Sequence, residues 1–538
     1  MIGLPRSALY GSALYDLSLR GPAPSAPMLI PGAPWPGDAA RGAALAAGQF
    51  RFAGESADGE MPPWTAALGP GFLAELHGFA WLDDIAALAE DAAFAKARRW
   101  IGDWLQRCDG WDALAWRADV TGRRLLAWAT HWPALAERGE DAPLAAAMLA
   151  SMARQTRHLA RVAPREAPGT PRLAAIAGLL AAAAALGFPA KLERGARLLA
   201  REAQAQLLPD GGHVERSPRA QLAALKWLIA ARAALTAAEV ELPGALQSAI
   251  DRAAPMLRFF RHGDGALALF NGAAEETSAL VDLVLARAEA KGRAPISAPH
   301  AGFQRLQAGR SLVLADTGAP PPPALDDEAH AGTLSFELSY GRERLIVNCG
   351  AYHGPSAQWR GVARATAAHS TLIVADTNSA EIRDGDGIGR RPRHVLCERA
   401  EQEGAHWLQA SHDGYAPSFG LVHHRQLFLA ADGEDLRGED RLEGRAGQGF
   451  AIRFHLHPAV QASLAQDGAT ALLRLPSGIG WRLRAQGAVM NLAESIYLGQ
   501  GELRKSQQVV LDGHVGSAGA TVKWALRREV KKPEKPEE

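Results

Sequence analysis

The sequence predicts two unlike parts: a helical N-terminal α/α toroid domain followed by a C-terminal antiparallel β-sandwich. Three observations carry this. Between residues 70 and 292, apolar residues recur at three- and four-residue spacing in an Ala-, Leu- and Arg-rich background. From 300 onward that period gives way to short runs of alternating apolar and polar residues separated by turns. The chain of 538 residues is also too long for one hydrophobic core.

Residues 1–60 are rich in Pro and Gly (GPAPSAPMLIPGAPWPGD, then GQFRFAGE) and read as an extended arm with little regular structure. The helical domain is assigned to 61–295. Segments 72–90, 123–132, 142–162, 173–186, 192–207, 220–235 and 246–260 read as helices, broken by APREAPGTP, LPDGGH and RHGDG. So many helices on short links suggest an incomplete helical barrel and exceed the needs of a four-helix bundle. The most apolar run, LAAIAGLLAAAAALGFP at 173–189, is dominated by alanine, which favours a buried helix over a membrane span.

The sandwich is assigned to 296–527. TLSFELSYG, RLIVNCG, STLIVAD, RQLFLAA, AIRFHLHP, GWRLRA and TVKWAL read as strands, with turns at Asp432–Gly433 and Asp467–Gly468. The polyproline-like stretch GAPPPPALDDE, 318–328, falls inside this region and reads as a loop. Residues 528–538, ending in VKKPEKPEE, read as a disordered tail.

Lys+Arg and Asp+Glu both number 58, so no global field draws the chain to nucleic acid or an anionic membrane. A locally basic cleft remains compatible with neutrality. Three scattered cysteines, Cys108, Cys349 and Cys397, argue against a disulfide framework or a thiolate zinc site. The first residues lack a charged segment followed by a continuous apolar core, so the chain reads as cytoplasmic as written, with the cell envelope as the alternative.

Two stretches are more specific. AHAGTLSFELSYGRERLIVNCG (329–350) and RATAAHSTLIVADTNS (364–379) resemble signature segments of the heparinase II/III-like C-terminal domain. HHRQLFL, RFHLHP and ESIYLG continue the likeness, and LPDGGHVERSP and RHGDGALALFNG extend it into the helical part. The resemblance implies a polysaccharide lyase fold and β-elimination next to a uronic acid in a cleft between toroid and sandwich. The partner would be an acidic polysaccharide or oligosaccharide, with no nucleic acid and no membrane span. Such a reaction needs the carboxylate neutralised, the C5 proton removed and the leaving oxygen protonated.

The sequence departs from that family's pattern. No tyrosine lies between 16 and 339; Ala220 stands where the family carries its toroid Tyr, and Pro171 and Arg172 stand near its Asn-His pair. The candidates that remain for catalysis are His369, His213, Tyr352 and Arg216. Those for substrate binding are Arg172, Glu215, Arg360, Arg364, Tyr415 and His412. By resemblance, His330, His369 and Asn348 occupy the positions of a zinc site, with Asn348 replacing the family's Asp and Glu328 replacing an upstream His. Zinc and a pair of hydrogen-bonded structural histidines both fit that pattern. Arg360 and Arg364 grip a uronate or pair with acids such as Glu337. Trp81, Trp116 and Trp359 line a glycan cleft or belong to the core. Three functions stay open: a lyase, a non-catalytic glycan- or envelope-binding protein, and a hydrolase using Asp210 and Glu215.

Overall fold

The computed structural model describes residues 9–137, 141–383, 385, 387–466 and 468–529. The chain parts into two compact units. One runs through Gln206 and adds Ala223–Ile250 and His353–Pro355; the other takes Leu207–Leu222, Asp251–Tyr352 and the chain from Ser356 onward. The units therefore do not part at 295. Segment 207–222 belongs with the strands because Arg216 donates to the carbonyls of Ala301, Gly302 and Ala319 and pairs with Asp316.

The first unit is helical. Pro70–Gly78, Asp91–Arg107, Ala118–Thr130, Ala142–Val162, Thr170–Ala185 and Pro189–Gln206 are its longer helices. In Ala142–Val162 the buried row Met148, Met152, Gln155, Thr156 and Leu159 follows the three- and four-residue period that predicts it. Thr170–Ala185 is buried at every position from Leu173 to Ala185. It lies directly on Ala118–Thr130: a Cβ at Gly178 would sit 1.9 Å from the Gly122 carbonyl oxygen. Two glycines thus let two helix backbones touch, and the alanines fill the narrow space around them. Among the described residues no helix is long and apolar enough to cross a membrane.

Three local expectations are corrected. The arm holds helices Ala13–Leu19 and Ala39–Ala46 and a hairpin, Gln49–Phe52 with Glu55–Asp58. Ser12 and Asp38 nucleate the helices, their side chains accepting N–H groups of Tyr15 (3.2 Å) and Ala40 (2.8 Å). The single helix expected at 72–90 is two, Pro70–Gly78 and Leu82–Ala86, because Phe79 turns left-handed at φ 56°. That turn drives Phe79 among Trp64, Trp81, Trp104 and Trp128, with ring centroids 5.1–5.9 Å away. Helices Asp91–Arg107 and Ser278–Ala288 add to the expected set. The first is polar on most of its surface, and only Ala93, Phe94, Ala97, Trp100, Ile101 and Trp104 mark its buried stripe.

The second unit is built on two antiparallel sheets. The eight-stranded one runs Gln461–Leu464, Thr470–Arg474, Gly480–Gln486, Ala520–Arg528, Asp435–Gly444, Leu421–Leu429, Ala405–His412, Val395–Gln402. The other runs Val489–Tyr497, Arg504–His514, Gly449–Leu456, Glu343–Val347, Phe336–Tyr340, Ser311–Asp316, Phe303–Ala308, Ser297–Ala298, with Leu372–Val374 pairing off Gly449–Leu456. Their inner faces share one core: Val313, Phe336 and Leu338 on one side, Leu408, Leu427, Trp481 and Trp524 on the other. Phe336 stacks on Trp524 at 5.8 Å and 6°. The last strand reaches Arg528, so the tail assignment at 528 starts too early; 530–538 and Asp467 lie outside the described residues.

Candidate functional site

A buried polar cluster lies in the second unit, beside the central strands Phe336–Tyr340 and Glu343–Val347. His330 and His369 meet there, Nδ1 to Nε2, at 3.0 Å. The Gly272 N–H donates to His330 Nε2 at 3.1 Å, which puts the His330 proton on Nδ1. His330 therefore donates to His369 Nε2, and His369 donates from Nδ1 to the Ala365 carbonyl at 2.7 Å. The chain of donors has one direction, and each ring nitrogen in it has an internal partner. His369 is 2% exposed, and burial pushes its pKa down to about 4, so it is neutral at neutral pH.

Neighbouring loops are tied into this line. Asn271 Oδ1 accepts the His330 N–H at 3.0 Å, and its Nδ2 donates to the Arg216 carbonyl at 2.8 Å. Asn271 and Arg216 both hold left-handed backbones, φ 43° and 52°, a strained conformation for side-chain-bearing residues. Behind them, Glu337 is fully buried; it accepts from the Asn348 N–H at 2.9 Å and bonds His262 Nε2 at 2.9 Å. Glu337 is thus His262's partner and not that of Arg360 or Arg364.

Zinc is not matched by the residues at these positions. His330 and His369 face each other at hydrogen-bonding distance. Asn348 Oδ1 accepts the Ser370 N–H at 3.0 Å, which fixes the amide and leaves its Nδ2, a donor, buried without a hydrogen-bond partner. A buried N–H group repels a cation, and zinc sites are completed by anionic or imidazole donors. Among the described residues no group of three or more His, Cys, Asp or Glu side chains is arranged to hold a metal ion.

The other candidate residues fall into two sets. Several are structural. His213 is 1% exposed, with burial lowering its pKa to about 3, and its Nδ1 accepts the Glu215 N–H at 3.3 Å. Arg216 is spent on the loop carbonyls at 301, 302 and 319. Arg364 is buried and donates to the carbonyls of Ala329 and Gly387. Tyr415 is fully buried, its hydroxyl donating to the Leu372 carbonyl at 2.8 Å and its pKa raised by burial. His412 Nδ1 accepts the Gly414 N–H, so its Nε2 donates to His423, which donates to Asp440 at 2.8 Å. Arg425 forks onto the same Asp440, and the charge of that guanidinium helps hold the buried carboxyl well below its usual range. Asp210 accepts the N–H groups of Gly212 and Ala301. Arg172 pairs with Glu202 at 2.8 Å and with the Glu166 carbonyl within the helical unit. Trp81 and Trp116 are core.

The second set is open to solvent. Tyr352 is half-buried in a loop, and Glu215 keeps 19% of its side chain exposed. Arg360 pairs with Glu328 at 2.6 Å at the surface, one residue from Trp359, which is also exposed. Sequence reasoning missed His262–Glu337 and the Arg425–Asp440 pair. The two-residue step from His423 to Arg425 on one strand face was the legible sign of the latter.

A family model described as Heparinase II/III-like, C-terminal, matches residues 290–525. The FtsZ-localized protein C of Caulobacter vibrioides is 34% identical over 548 residues, covering 96% of this chain and 93% of that protein. The chain belongs to the heparinase II/III-like family. Its fold is that of the family's solved lyases. The crystal structure of heparinase III matches with a TM-score of 0.69 at 14% identity, over 86% of this chain and 78% of that one. A mutant of heparan sulfate lyase HepC from Pedobacter heparinus matches with a TM-score of 0.63 at 17% identity, over 98% and 89%. The heparinase II/III-like fold is thus present here, while His369, His213 and Arg216, nominated by the sequence for catalysis, are spent on internal bonds.

Proposed function

We propose that this heparinase II/III-like protein binds an acidic glycan without cleaving it. One observation carries the reading: His369 and His213, the two histidines that the sequence offers for catalysis, are buried and bonded inward. A general acid or base must reach the proton it moves. Burial of the neutral form also leaves His369 and His213 poor proton acceptors at neutral pH. The loss of tyrosine from the helical sequence, with Ala220 at the expected position, agrees with this reading. The relative's name supports a place of action beside FtsZ, since the two chains match over almost their full lengths.

Ultraviolet absorbance of a new C=C bond tests the reading across heparan sulfate, polyglucuronate and alginate, with an active lyase as control. The expected trace is flat while the same glycans are retained in a binding assay. Unsaturated products lost in Tyr352→Phe would overturn it and make the chain a lyase. A fluorescent fusion that stays diffuse while FtsZ forms its ring would remove the division-site part.

A further inference from the structure

The outer face of the eight-stranded sheet carries a groove that none of the chemistry above uses. Residues alternate across a strand, so each core residue sends its neighbour outward. Leu408, Leu427, Leu483 and Leu526 face the core. Gln409, Gln426, Arg484 and Arg527 therefore face out, and all four are exposed. Two hollows, of about 500 and 930 Å³, lie side by side on this face and share Arg484 and Ala525. Together they extend from Ala405–His412 to Thr470–Arg474. Those are six adjacent strands, hence roughly 24 Å at the usual interstrand spacing.

The two ends differ in chemistry. At one, Trp407 is 41% exposed and lies against Phe428 with ring centroids 4.9 Å apart. The two rings together present an aromatic surface on outward strand positions. The amides of Gln409 and Gln426 stand beside this pair and offer both donors and acceptors. The other end is cationic, lined by Arg474, Arg482, Arg484, Arg527 and Arg528. Acids at the rim satisfy part of this charge: Arg482 pairs with Glu529 at 2.8 Å and Arg527 with Asp435 at 3.1 Å. The side chains of Arg474 and Arg484 have no ion-pair or hydrogen-bond partner among the described residues.

We infer that this outer face is a second site, which binds an extended acidic polysaccharide across the strands. The inference rests on the glycan-binding reading above and names a place for it. A sugar ring stacks on Trp407, the glutamines bond its hydroxyls, and carboxylates or sulfates further along lie against Arg484 and Arg474. A neutral glycan would leave the guanidiniums unused. The chain as a whole is neutral, so the excess of arginine here is a local arrangement.

Isothermal titration of the full chain with heparan sulfate and polyglucuronate oligosaccharides tests this, with dextran and single-stranded DNA as comparisons. Trp407→Ala and the pair Arg474→Glu with Arg484→Glu change exposed side chains and should leave circular dichroism unchanged. The acidic oligosaccharides should bind, dextran should not, and each variant should bind about tenfold more weakly or worse. Wild-type binding that both variants retain would overturn the site and leave the glycan-binding reading standing. Absence of binding to every acidic oligosaccharide would overturn both. Tighter binding of the DNA would overturn the ligand class. Unsaturated product together with binding lost in the variants would keep the site and remove the non-catalytic reading.

Discussion

Replacing His369 with alanine separates a structural histidine from one kept for proton transfer. The substitution strands two buried groups, the His330 Nδ1–H and the Ala365 carbonyl, and opens a cavity where the ring was. Large-to-small changes at buried sites, with a lost hydrogen bond, cost about 2–5 kcal/mol. The cost depends on pH in a defined direction. The folded-state pKa of about 4 lies below the ordinary 6.5, so the unfolded chain takes up the proton first. Stability from this residue is therefore complete above 6.5 and falls as the pH drops toward 4. At about pH 5 the wild type has lost about 2 kcal/mol through His369 alone, whereas the alanine variant has nothing there to titrate. The gap between the two proteins in urea unfolding, followed by tryptophan fluorescence, should thus narrow by about 2 kcal/mol between about pH 7.5 and about pH 5. A gap that stays constant, or a His369 resonance titrating near 6.5 in histidine-labelled protein, would refute the buried, neutral relay.

Asn348→Asp should give a protein that is less stable without metal, because a second carboxylate is buried beside Glu337, and that zinc stabilises through His330 and His369. Thermal unfolding with zinc and with chelator checks this; zinc stabilisation of the wild type would contradict the mismatch between the Asn348 amide and a cation. Asp440→Asn should cost about 3–5 kcal/mol in chemical denaturation, since it leaves the buried Arg425 charge without its anion. Gly438→Ala should lower the unfolding midpoint of the sandwich, because the new methyl would sit 2.1 Å from the Trp524 ring and force the stack with Phe336 apart, at a cost of about 1–3 kcal/mol. An unchanged midpoint would mean that the stack yields freely.

The period of the apolar residues is enough to set most of the architecture. Helix Ala142–Val162 and strand Leu421–Leu429 lie where the pattern puts them, because one-sided burial leaves its spacing in the local sequence. The family is legible too, from 329–350 and 364–379. Where the chain bends is less so: the split at Phe79 answers to four tryptophans drawn from 64 to 128, which no local window contains.

The roles of the polar residues are decided by tertiary structure alone. The sequence offers His330 and His369 as two histidines 39 residues apart, and zinc ligands and structural partners look alike at that level. The Gly272 N–H, 58 residues before His330, selects the tautomer and with it the direction of the whole chain of donors. Arg216, Arg364 and Tyr415 are likewise site residues by type and neighbourhood, yet carbonyls of distant segments hold them. Trp407 and Arg484 escape notice in the sequence because each is one outward position on an ordinary alternating strand, and only the pairing of six strands brings them to one face. Periodicity records which side of an element is buried; which donor meets which acceptor depends on long-range packing, and here that packing governs whether a histidine can do chemistry.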